Sequence, residues 1–423
     1  MPSAPNIQDR RDRAASEWKL DDEIVLVGCG NPIGIPGGAD QCYDFRAHYE
    51  YRWLTNETRP GSILAYDPGD GWTRFTPAVT EMERVWDGVT SEPDGPYLEE
   101  LAPWLARRTG RKVGFLGSVT EDVTVDTVLT DQLRQGLMQV RRPKDDYEIE
   151  KICRAVDATC DGHAYAYYGI EPGLTERHIQ IDMESAFFRS GADRTGYSSI
   201  VGTGPNSVVF HFTPSDRQIQ KGDVVLVDAG AEVDGYVADV TRTYPAGDKF
   251  TTRQQEIYDI LLAAERRACD RCRVGVEWLD FHTQCAAELA DGLARLGIFT
   301  GSAEAAVESE AFALFMPHGI GHMVGLGVRD ASGAASGRSG ENKAAGVRVR
   351  CDLPLEKGFV MTVEPGIYFI PALLNDPSRR EKFATEIDWT VVDSYLDFGG
   401  IRIEDNVLVT DGDPVNLTIE IPV

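Results

Sequence analysis

Two aspartates that flank a predicted hairpin turn could bind a metal ion. Residues 223–243 read DVVLVDAGAEVDGYVADVTRT, and the Asp-Gly pair at 234–235 is a strong signal for a two-residue hairpin loop. If this pair forms the loop, Asp228 faces Thr241, and Asp239 projects from the same face at most about 7–8 Å away. Two carboxylates at the end of an apolar strand are costly unless a cation lies between them, although aspartates are also common near turns.

A second group of candidate ligands is a pair of histidines in a glycine-rich turn. His318 and His322 enclose Gly-Ile-Gly, and residues four apart share a face in a helix or a strand. The glycines argue against a helix. The pattern is not H-E-x-x-H, which excludes the zinc-protease helix. A metal-binding role and a structural role both stay open for these histidines at this point.

Two glutamates complete the group. Glu364 ends the apolar run VMTVEPG, and Glu404 shares one face with Arg402 in the alternating run GIRIEDNVLVT. Acidic residues in buried strands are costly unless they are paired or metal-bound. Four carboxylates and one imidazole favour hard divalent ions, so we expect Mn²⁺, with Zn²⁺ or Co²⁺ as substitutes. Neutralising four carboxylates takes two such ions, and two ions about 3.5–4 Å apart can activate a bridging water and polarise a scissile carbonyl.

The composition limits the kind of protein that carries these residues. The chain of 423 residues is long enough for two domains, and its formal charge of −26 argues against nucleic acid and membranes as partners. The first residues lack the apolar core of a signal peptide, and no apolar run is long enough to span a membrane. Eight cysteines without a short-spaced framework predict reduced thiols and therefore a cytoplasmic location.

The elements that position the candidate ligands fall into two predicted domains. Residues 1–143 alternate buried strands with helices, which predicts a smaller α/β accessory domain. Its predicted strands are Ile24–Val27, Ile63–Tyr66 and Val113–Leu116, and segments such as Tyr97–Arg108 are predicted to form helices between them.

Residues 144–423 repeat a pair of helices followed by strands, which predicts a duplicated α+β domain. We expect Asp146 to cap its first helix and Thr252 to form a capping box with Gln255 at its third. The small polar residues 331–346 predict a mobile loop.

Four segments give the chain a specific resemblance. They read VDAGAEVDGYVADVTRTY, MPHGIGH, MTVEPGIYF and FGGIRIEDNVLVT, and they resemble the signature blocks of the prolidase and aminopeptidase P family, which has the pita-bread fold. The likeness covers most of residues 145–410, and the part from Glu364 to Glu404 most resembles bacterial prolidases and organophosphorus acid anhydrolases. It implies a Mn-dependent Xaa-Pro dipeptidase that acts through a hydroxide bridging two metal ions.

Three other functions stay open beside the dipeptidase. An aminopeptidase acting on longer Xaa-Pro peptides, or a hydrolase of other C–N, P–O or P–F bonds, could use the same two-metal centre. A binding protein that keeps the fold without metal would be expected to lose ligands, and none is missing here.

The resemblance also implies a role for each site residue. The five metal ligands would be Asp228, Asp239, His322, Glu364 and Glu404. Of these, Asp239 and Glu404 would bridge both ions, and Glu364 would also accept a proton from the bridging water. The family usually pairs two subunits so that the accessory domain of one helps to close the site of the other, which implies a homodimer.

The remaining implied residues contact the substrate. His318 and His211 match family histidines that hold the substrate and the developing oxyanion, and Arg402 and Tyr197 match residues that line the pocket. From the sequence alone, a structural role for His211 is the simpler interpretation.

Arg329 departs from the family pattern. Where the family has G-x-D-V-H-D after the metal-binding histidine, this chain has Gly-Leu-Gly-Val-Arg-Asp at 325–330. Arginine cannot exchange a proton near neutral pH, but its planar fork suits a carboxylate. We expect Arg329 to bind an anionic group of the substrate, most simply the C-terminal carboxylate of a dipeptide. The alternative is an outward-facing arginine that pairs with neighbouring acids.

Overall fold

A computed structural model describes residues 4–118, 123–338 and 342–423. The chain separates into two compact units, of which the first ends at Arg141 and the second begins at Arg142. Both units mix helices and strands, as the predicted α+β class requires. No helix of the described residues is long and apolar enough to cross a bilayer.

The first unit is built around a four-stranded sheet. Its helices are α1 (Ile7–Trp18), α2 (Tyr49–Thr55), α3 (Glu81–Trp86), α4 (Leu101–Ala106) and α5 (Thr127–Arg141). Its strands are β1 (Ile24–Gly28), β2 (Ile63–Asp67), β3 (Gly71–Phe75) and β4 (Val113–Gly117). The order is β3-β2-β1-β4, and only the β1–β4 pair is parallel. The three predicted strands are therefore confirmed.

The helix predicted over Tyr97–Arg108 is wrong in extent. A 3₁₀ turn occupies Leu98–Glu100, and α4 then begins at Leu101. This start places Pro103 in the first turn of the α-helix, where its missing N–H and fixed φ cost little.

The second unit contains the two predicted helix pairs and several short helices. They are α6 (Asp146–Gly169), α7 (Glu176–Arg189), α8 (Thr252–Arg271), α9 (Trp278–Arg295), α10 (Ala303–Glu308), α11 (Pro371–Leu374), α12 (Pro377–Lys382) and α13 (Trp389–Asp393).

Both predicted helix caps are wrong by one residue. Asp145 caps α6 rather than Asp146, and α8 begins with a capping box between Thr251 and Gln254. With this start, both polar atoms of the Gln254 side chain form hydrogen bonds. Its Oε1 accepts from the Thr251 N–H (2.9 Å), and its Nε2 donates to the carbonyl oxygen of Gly222 (2.9 Å).

Short strands follow each helix pair. After α6 and α7 come β5 (Arg194–Thr195), β6 (Ile200–Thr203), β7 (Val224–Asp228), β8 (Ala231–Val233), β9 (Tyr236–Val237) and β10 (Thr241–Pro245). After α8 and α9 come β11 (Gly333–Ala334), β12 (Lys343–Ala344), β13 (Val347–Arg348), β14 (Cys351–Asp352), β15 (Val360–Val363), β16 (Gly366–Tyr368), β17 (Gly400–Arg402), β18 (Asp405–Leu408) and β19 (Val415–Asn416).

The two sets of strands meet beside the candidate ligands. The first set forms sheets ordered β10-β7-β6 and β5-β8-β9, and the second forms β15-β18-β19 and β16-β17. The Glu404 N–H donates to the carbonyl oxygen of Thr241 at 3.0 Å, which joins the sets. Of the predicted mobile loop, residues 339–341 lie outside the described residues, β11 and β12 lie within it, and its mobility stays a prediction.

Candidate metal centre and substrate cavity

The hairpin that carries the two aspartates has the predicted register. Val233 pairs with Tyr236 across the loop, and Asp228 pairs with Thr241 farther along. Both loop residues at 234–235 have positive φ, 51° and 81°, as a two-residue turn of this kind requires. The apolar side chains of β7 are buried, so the strand is fixed and both aspartates open into one cavity.

Backbone contacts with β15 position His322. The His322 N–H donates to Thr362 Oγ1 at 3.0 Å, and its carbonyl oxygen accepts from the Thr362 N–H at 2.8 Å. The ring Nδ1 lies 2.9 Å from the carbonyl oxygen of Met323, which makes Nδ1 the protonated nitrogen. Nε2 is therefore left free to act as a ligand, 3.3 Å from Asp239 Oδ2 and 3.8 Å from Glu364 Oε1.

The carboxylates of this group are buried, and the positive charge of the surrounding protein does not balance their negative charge. Burial and the carboxylates of Asp239, Glu364 and Asp228 raise the pKa of Glu404 well above its usual value. Burial also raises the pKa of Glu364, against the opposing effect of His322. Burial acts to raise the pKa of Asp239 as well, but His322, the Tyr197 hydroxyl and the charge of Arg329 together outweigh it, and the net pKa is lowered.

The group fits a divalent cation. Asp239, His322 and Glu404 each offer a ligand atom within 4.8 Å of the others, and buried Glu364 Oε1 has no hydrogen-bond partner among the described residues. Oxygen-rich ligands of this kind suit hard divalent metals. A cation here would remove the cost of an orphaned buried oxygen and of adjacent negative charges.

Asp228, the fifth predicted ligand, makes different contacts. Arg402 Nη2 donates to Asp228 Oδ2 at 2.5 Å, and the Tyr197 hydroxyl donates to its other oxygen at 2.8 Å. Arg402 is further fixed by bonds from Nε to Thr241 Oγ1 (3.0 Å) and from Nη1 to the Tyr368 hydroxyl (2.8 Å). The structure thus places Asp228 at the cavity but outside the compact three-residue group.

All ten predicted site residues line one cavity of about 650 Å³. They are Tyr197, His211, Asp228, Asp239, His318, His322, Arg329, Glu364, Arg402 and Glu404. Phe210, Phe212 and Ile200 supply apolar wall, and Arg350 adds a third arginine. The lining shows where these residues lie, and the roles of the individual residues stay predictions.

Two residues near the cavity were missed in the sequence. Tyr368 lies behind His318, whose Nε2 is 3.1 Å from its hydroxyl, and it accepts from Arg402. Burial lowers the pKa of His318 to about 3, with Arg402 adding to the effect, so the imidazole is neutral at neutral pH. Arg350 lies in the alternating run VRVRC, but nothing in that run indicates which arginine faces the cavity.

Comparison with known proteins gives one consistent result. The profile of Metallopeptidase family M24 matches residues 150–411. The human Xaa-Pro dipeptidase is 30% identical over 91% of this chain and 85% of its own length. A probable Xaa-Pro aminopeptidase of Aspergillus fumigatus is 31% identical over 90% of this chain and 86% of its own.

Solved structures agree with this assignment. Pseudomonas aeruginosa aminopeptidase PepP matches 100% of this chain and 96% of its own with a TM-score of 0.80 and 26% identity. Escherichia coli aminopeptidase P in complex with substrate matches 99% of this chain and 96% of its own with a TM-score of 0.81 and 25% identity. The predicted pita-bread fold, with a smaller N-terminal domain, is confirmed.

Proposed function

This chain belongs to metallopeptidase family M24, and on that premise we propose that it is a divalent-metal Xaa-Pro dipeptidase. The observation that carries the proposal is the group of buried, under-neutralised ligands that line one cavity. Curated relatives at about 30% identity include both Xaa-Pro dipeptidases and Xaa-Pro aminopeptidases. The second candidate is therefore an aminopeptidase acting on longer Xaa-Pro peptides.

Asp228, Asp239, His322, Glu364 and Glu404 would hold the metal. Two divalent ions, for which we propose Mn²⁺ with Zn²⁺ or Co²⁺ as substitutes, supply positive charge that polarises a carbonyl and acidifies water when bound. Asp239 lies between β9 and β10 and Glu404 between β17 and β18, and their ligand atoms lie within 4.8 Å of each other, which supports a bridging role for both.

The other residues bind the substrate and move a proton. Glu364 is suited to accept a proton because its Oε1 makes no hydrogen bond among the described residues. His318 is neutral and held by Tyr368, so it can orient the scissile group without adding charge. His211 lies on the cavity wall beside Phe210 and Phe212, where an apolar proline ring would pack. Burial raises the pKa of Asp228, the charge of Arg402 opposes this rise, and the hydrogen bond from Arg402 holds the carboxyl group in place.

The decisive experiment is a comparison of substrates. Protein loaded separately with Mn²⁺, Zn²⁺ and Co²⁺ is assayed with the dipeptide Gly-Pro, the tripeptide Gly-Pro-Ala and the control Gly-Ala. We expect the highest kcat/KM on Gly-Pro with Mn²⁺ and no measurable turnover of Gly-Ala. Faster cleavage of the tripeptide would favour the aminopeptidase, and equal rates on Gly-Ala would contradict both. The homodimer stays a prediction, which light scattering can test.

A further inference from the structure

The carboxyl group of Glu176 accepts hydrogen bonds from neutral donors alone. Glu176 is the first residue of α7, it is fully buried, and it forms no ion pair with any described residue. Its Oε1 accepts from the Thr203 N–H at 2.9 Å, from the Thr203 hydroxyl at 2.8 Å and from Asn206 Nδ2 at 2.8 Å. Its Oε2 accepts from the N–H of Ser215 at 3.1 Å and from the hydroxyl of the same residue at 2.6 Å. Burying a carboxyl group is costly, and these donors offset that cost.

These donors lie at the two ends of one segment, residues 203–215. Thr203 is the last residue of β6, and Asn206 lies in the 3₁₀ turn that follows it. Ser215 lies at the other end, where the chain returns to the start of α7. One carboxyl group therefore joins both ends and closes the segment into a loop.

Capping of α7 does not explain this contact. Thr175 Oγ1 accepts from the His178 N–H at 3.3 Å, which is the usual cap of such a helix start. The Arg177 N–H donates to the carbonyl oxygen of Ser215 at 3.1 Å, so the helix backbone is bonded to the loop as well. The side chain of Glu176 is therefore not needed to begin the helix, and its hydrogen bonds hold the loop.

The middle of this loop forms part of the cavity wall. The lining residues that it supplies are Phe210, His211, Phe212 and Thr213. Phe210 packs edge-on against Tyr368, with 4.8 Å between the ring centroids. Within the described residues, no hydrogen bond joins residues 210–214 to another segment of the chain. The position of this wall therefore depends on ring packing and on the two ends that Glu176 joins.

We propose that Glu176 is a positioning residue, which fixes the wall containing Phe210 and Phe212 and so sets the preference for a proline ring in the substrate. This proposal rests on the proposed peptidase function. A small rigid ring binds by close contact, and a gap of about 0.5–1 Å already forfeits a quarter to a half of a van der Waals contact. Glu176 lies outside the lining of the cavity, so it acts on substrate affinity through the wall and not on bond cleavage.

Three variants test this role. Glu176→Gln keeps the shape of the side chain but replaces one acceptor oxygen with an NH₂ group, so the backbone N–H of Thr203 or of Ser215 loses its acceptor. Asn206→Ala removes a single donor and leaves the carboxyl group in place, which gives a milder change at a partly buried position. Glu184→Gln is the matched control, because it is the same substitution in the same helix and Glu184 forms its hydrogen bond within α7.

The first measurement is amide hydrogen exchange of the metal-free protein, which needs no substrate. In Glu176→Gln, the amides of residues 203–215 should exchange roughly 10-fold faster, whereas β7 and α8 should exchange as in the parent. Asn206→Ala should accelerate the same amides by about 3-fold, and Glu184→Gln should leave them unchanged. Unchanged exchange of the loop in Glu176→Gln, or equally faster exchange throughout the second unit, would overturn the proposal.

The second measurement is calorimetry of the Mn²⁺-loaded protein with N-acetyl-proline and N-acetyl-alanine. The parent and Glu184→Gln should bind the proline ligand more tightly, and Glu176→Gln should weaken this preference roughly 10-fold. A preference that is absent in the parent, or that persists in Glu176→Gln although the loop exchanges faster, would contradict the role of Glu176 in selecting proline.

Kinetics on Gly-Pro complete the test. Glu176→Gln should raise KM roughly 10-fold and change kcat less than about 3-fold, a division between the two constants that a general loss of structure would not produce. A loss confined to kcat would count against the positioning role. If the parent does not hydrolyse Gly-Pro, the proposed peptidase function fails, whereas faster exchange of the loop and a weakened proline preference in Glu176→Gln still support the positioning role.

Discussion

Two buried groups of potential metal ligands lie back to back in the second unit. The cavity group contains Asp239, His322 and Glu404, and the rear group contains Glu265, Cys269 and Asp405. They meet at consecutive residues, because Glu404 and Asp405 leave an extended chain on opposite faces. Both groups bring ligand atoms within 4.8 Å of one another, so proximity alone does not distinguish them.

The rear group is already neutralised by the protein. Arg242 Nη2 donates to Asp405 Oδ1 at 2.7 Å, and the Thr418 hydroxyl donates to the same oxygen at 2.5 Å. Burial and the charge of Asp405 raise the pKa of Glu265 well above its usual value, which favours the neutral acid, and this carboxyl accepts from Cys269 Sγ at 2.7 Å. One anion then faces one cation, and no charge is left for a metal to balance.

In the cavity group, the charges of Arg329 and Arg402 act on the carboxylates of Asp239, Glu364 and Glu404 without a hydrogen bond to them. Within the described residues, the one arginine hydrogen-bonded to a cavity carboxylate is Arg402, and its partner is Asp228 rather than Asp239, Glu364 or Glu404. The difference teaches that charge balance, and not the presence of ligand atoms, distinguishes a metal site from a structural network of the same residue types.

The largest expected effect is on turnover. Glu364→Gln keeps the shape of the side chain but removes its charge and its ability to accept a proton. We expect kcat on Gly-Pro to fall by roughly 10²–10⁴, the usual contribution of a positioned acid or base. Circular dichroism should show an unchanged fold. Activity within tenfold of the parent would remove Glu364 from the chemistry.

The next effect is on stability, at the rear group. Arg242→Met leaves Asp405 buried without its cation, which should cost about 3–5 kcal/mol of unfolding free energy. Urea denaturation of the metal-free protein measures it. Arg267→Met is the control, because Arg267 pairs with Glu288 on the surface and should change stability by less than about 1 kcal/mol. A loss as small as that of the control would show that the rear group does not depend on Arg242.

A smaller effect, the stabilisation against unfolding by bound metal, should distinguish the cavity group from the rear group. Mn²⁺ at about 100 times its dissociation constant should stabilise the parent by about 2.7 kcal/mol. Glu404→Gln should lose most of this gain, because a neutral amide no longer balances the cation. Without metal, Glu404→Gln should be about as stable as the parent, since the raised pKa already favours the neutral acid. Thermal unfolding with and without Mn²⁺ tests both statements, and an undiminished metal effect would contradict them.

The smallest effect is expected for Glu265→Gln. An amide can replace a protonated carboxyl, because it also accepts from Cys269 and donates toward Asp405. We expect less than about 1 kcal/mol of lost stability and the full Mn²⁺ effect on unfolding. Glu364→Gln and Glu265→Gln make the same substitution in two buried glutamates, but we expect a large effect only from Glu364→Gln. A lost Mn²⁺ effect would mean that the rear group also binds metal.

Local chemistry made part of this structure predictable. Once an Asp-Gly pair forms the loop, counting outward fixes Asp228 opposite Thr241, and this register is confirmed. Acidic residues in apolar strands indicated the remaining carboxylates, because burying a carboxylate is costly unless it is paired or bound to a metal.

Long-range packing could not be predicted in the same way. Tyr368 reaches Arg402 only because β16 pairs with β17, and Glu265 meets Asp405 only where α8 packs beside the strands. The caps of α6 and α8 were misplaced by one residue, because two adjacent polar residues can each start a helix.

Arg242 has a consequence for the timing of biosynthesis. Its guanidinium donates to the carbonyl oxygen of Glu404 at 2.8 Å and to that of Ile421, which lies 179 positions later in the chain. At about 5–20 residues per second, translation takes roughly 10–40 s to cover that distance. During this interval the nascent chain holds an arginine destined for burial without its partners. The segment between β17 and β18 that carries Glu404 is therefore among the last parts of the chain to be fixed.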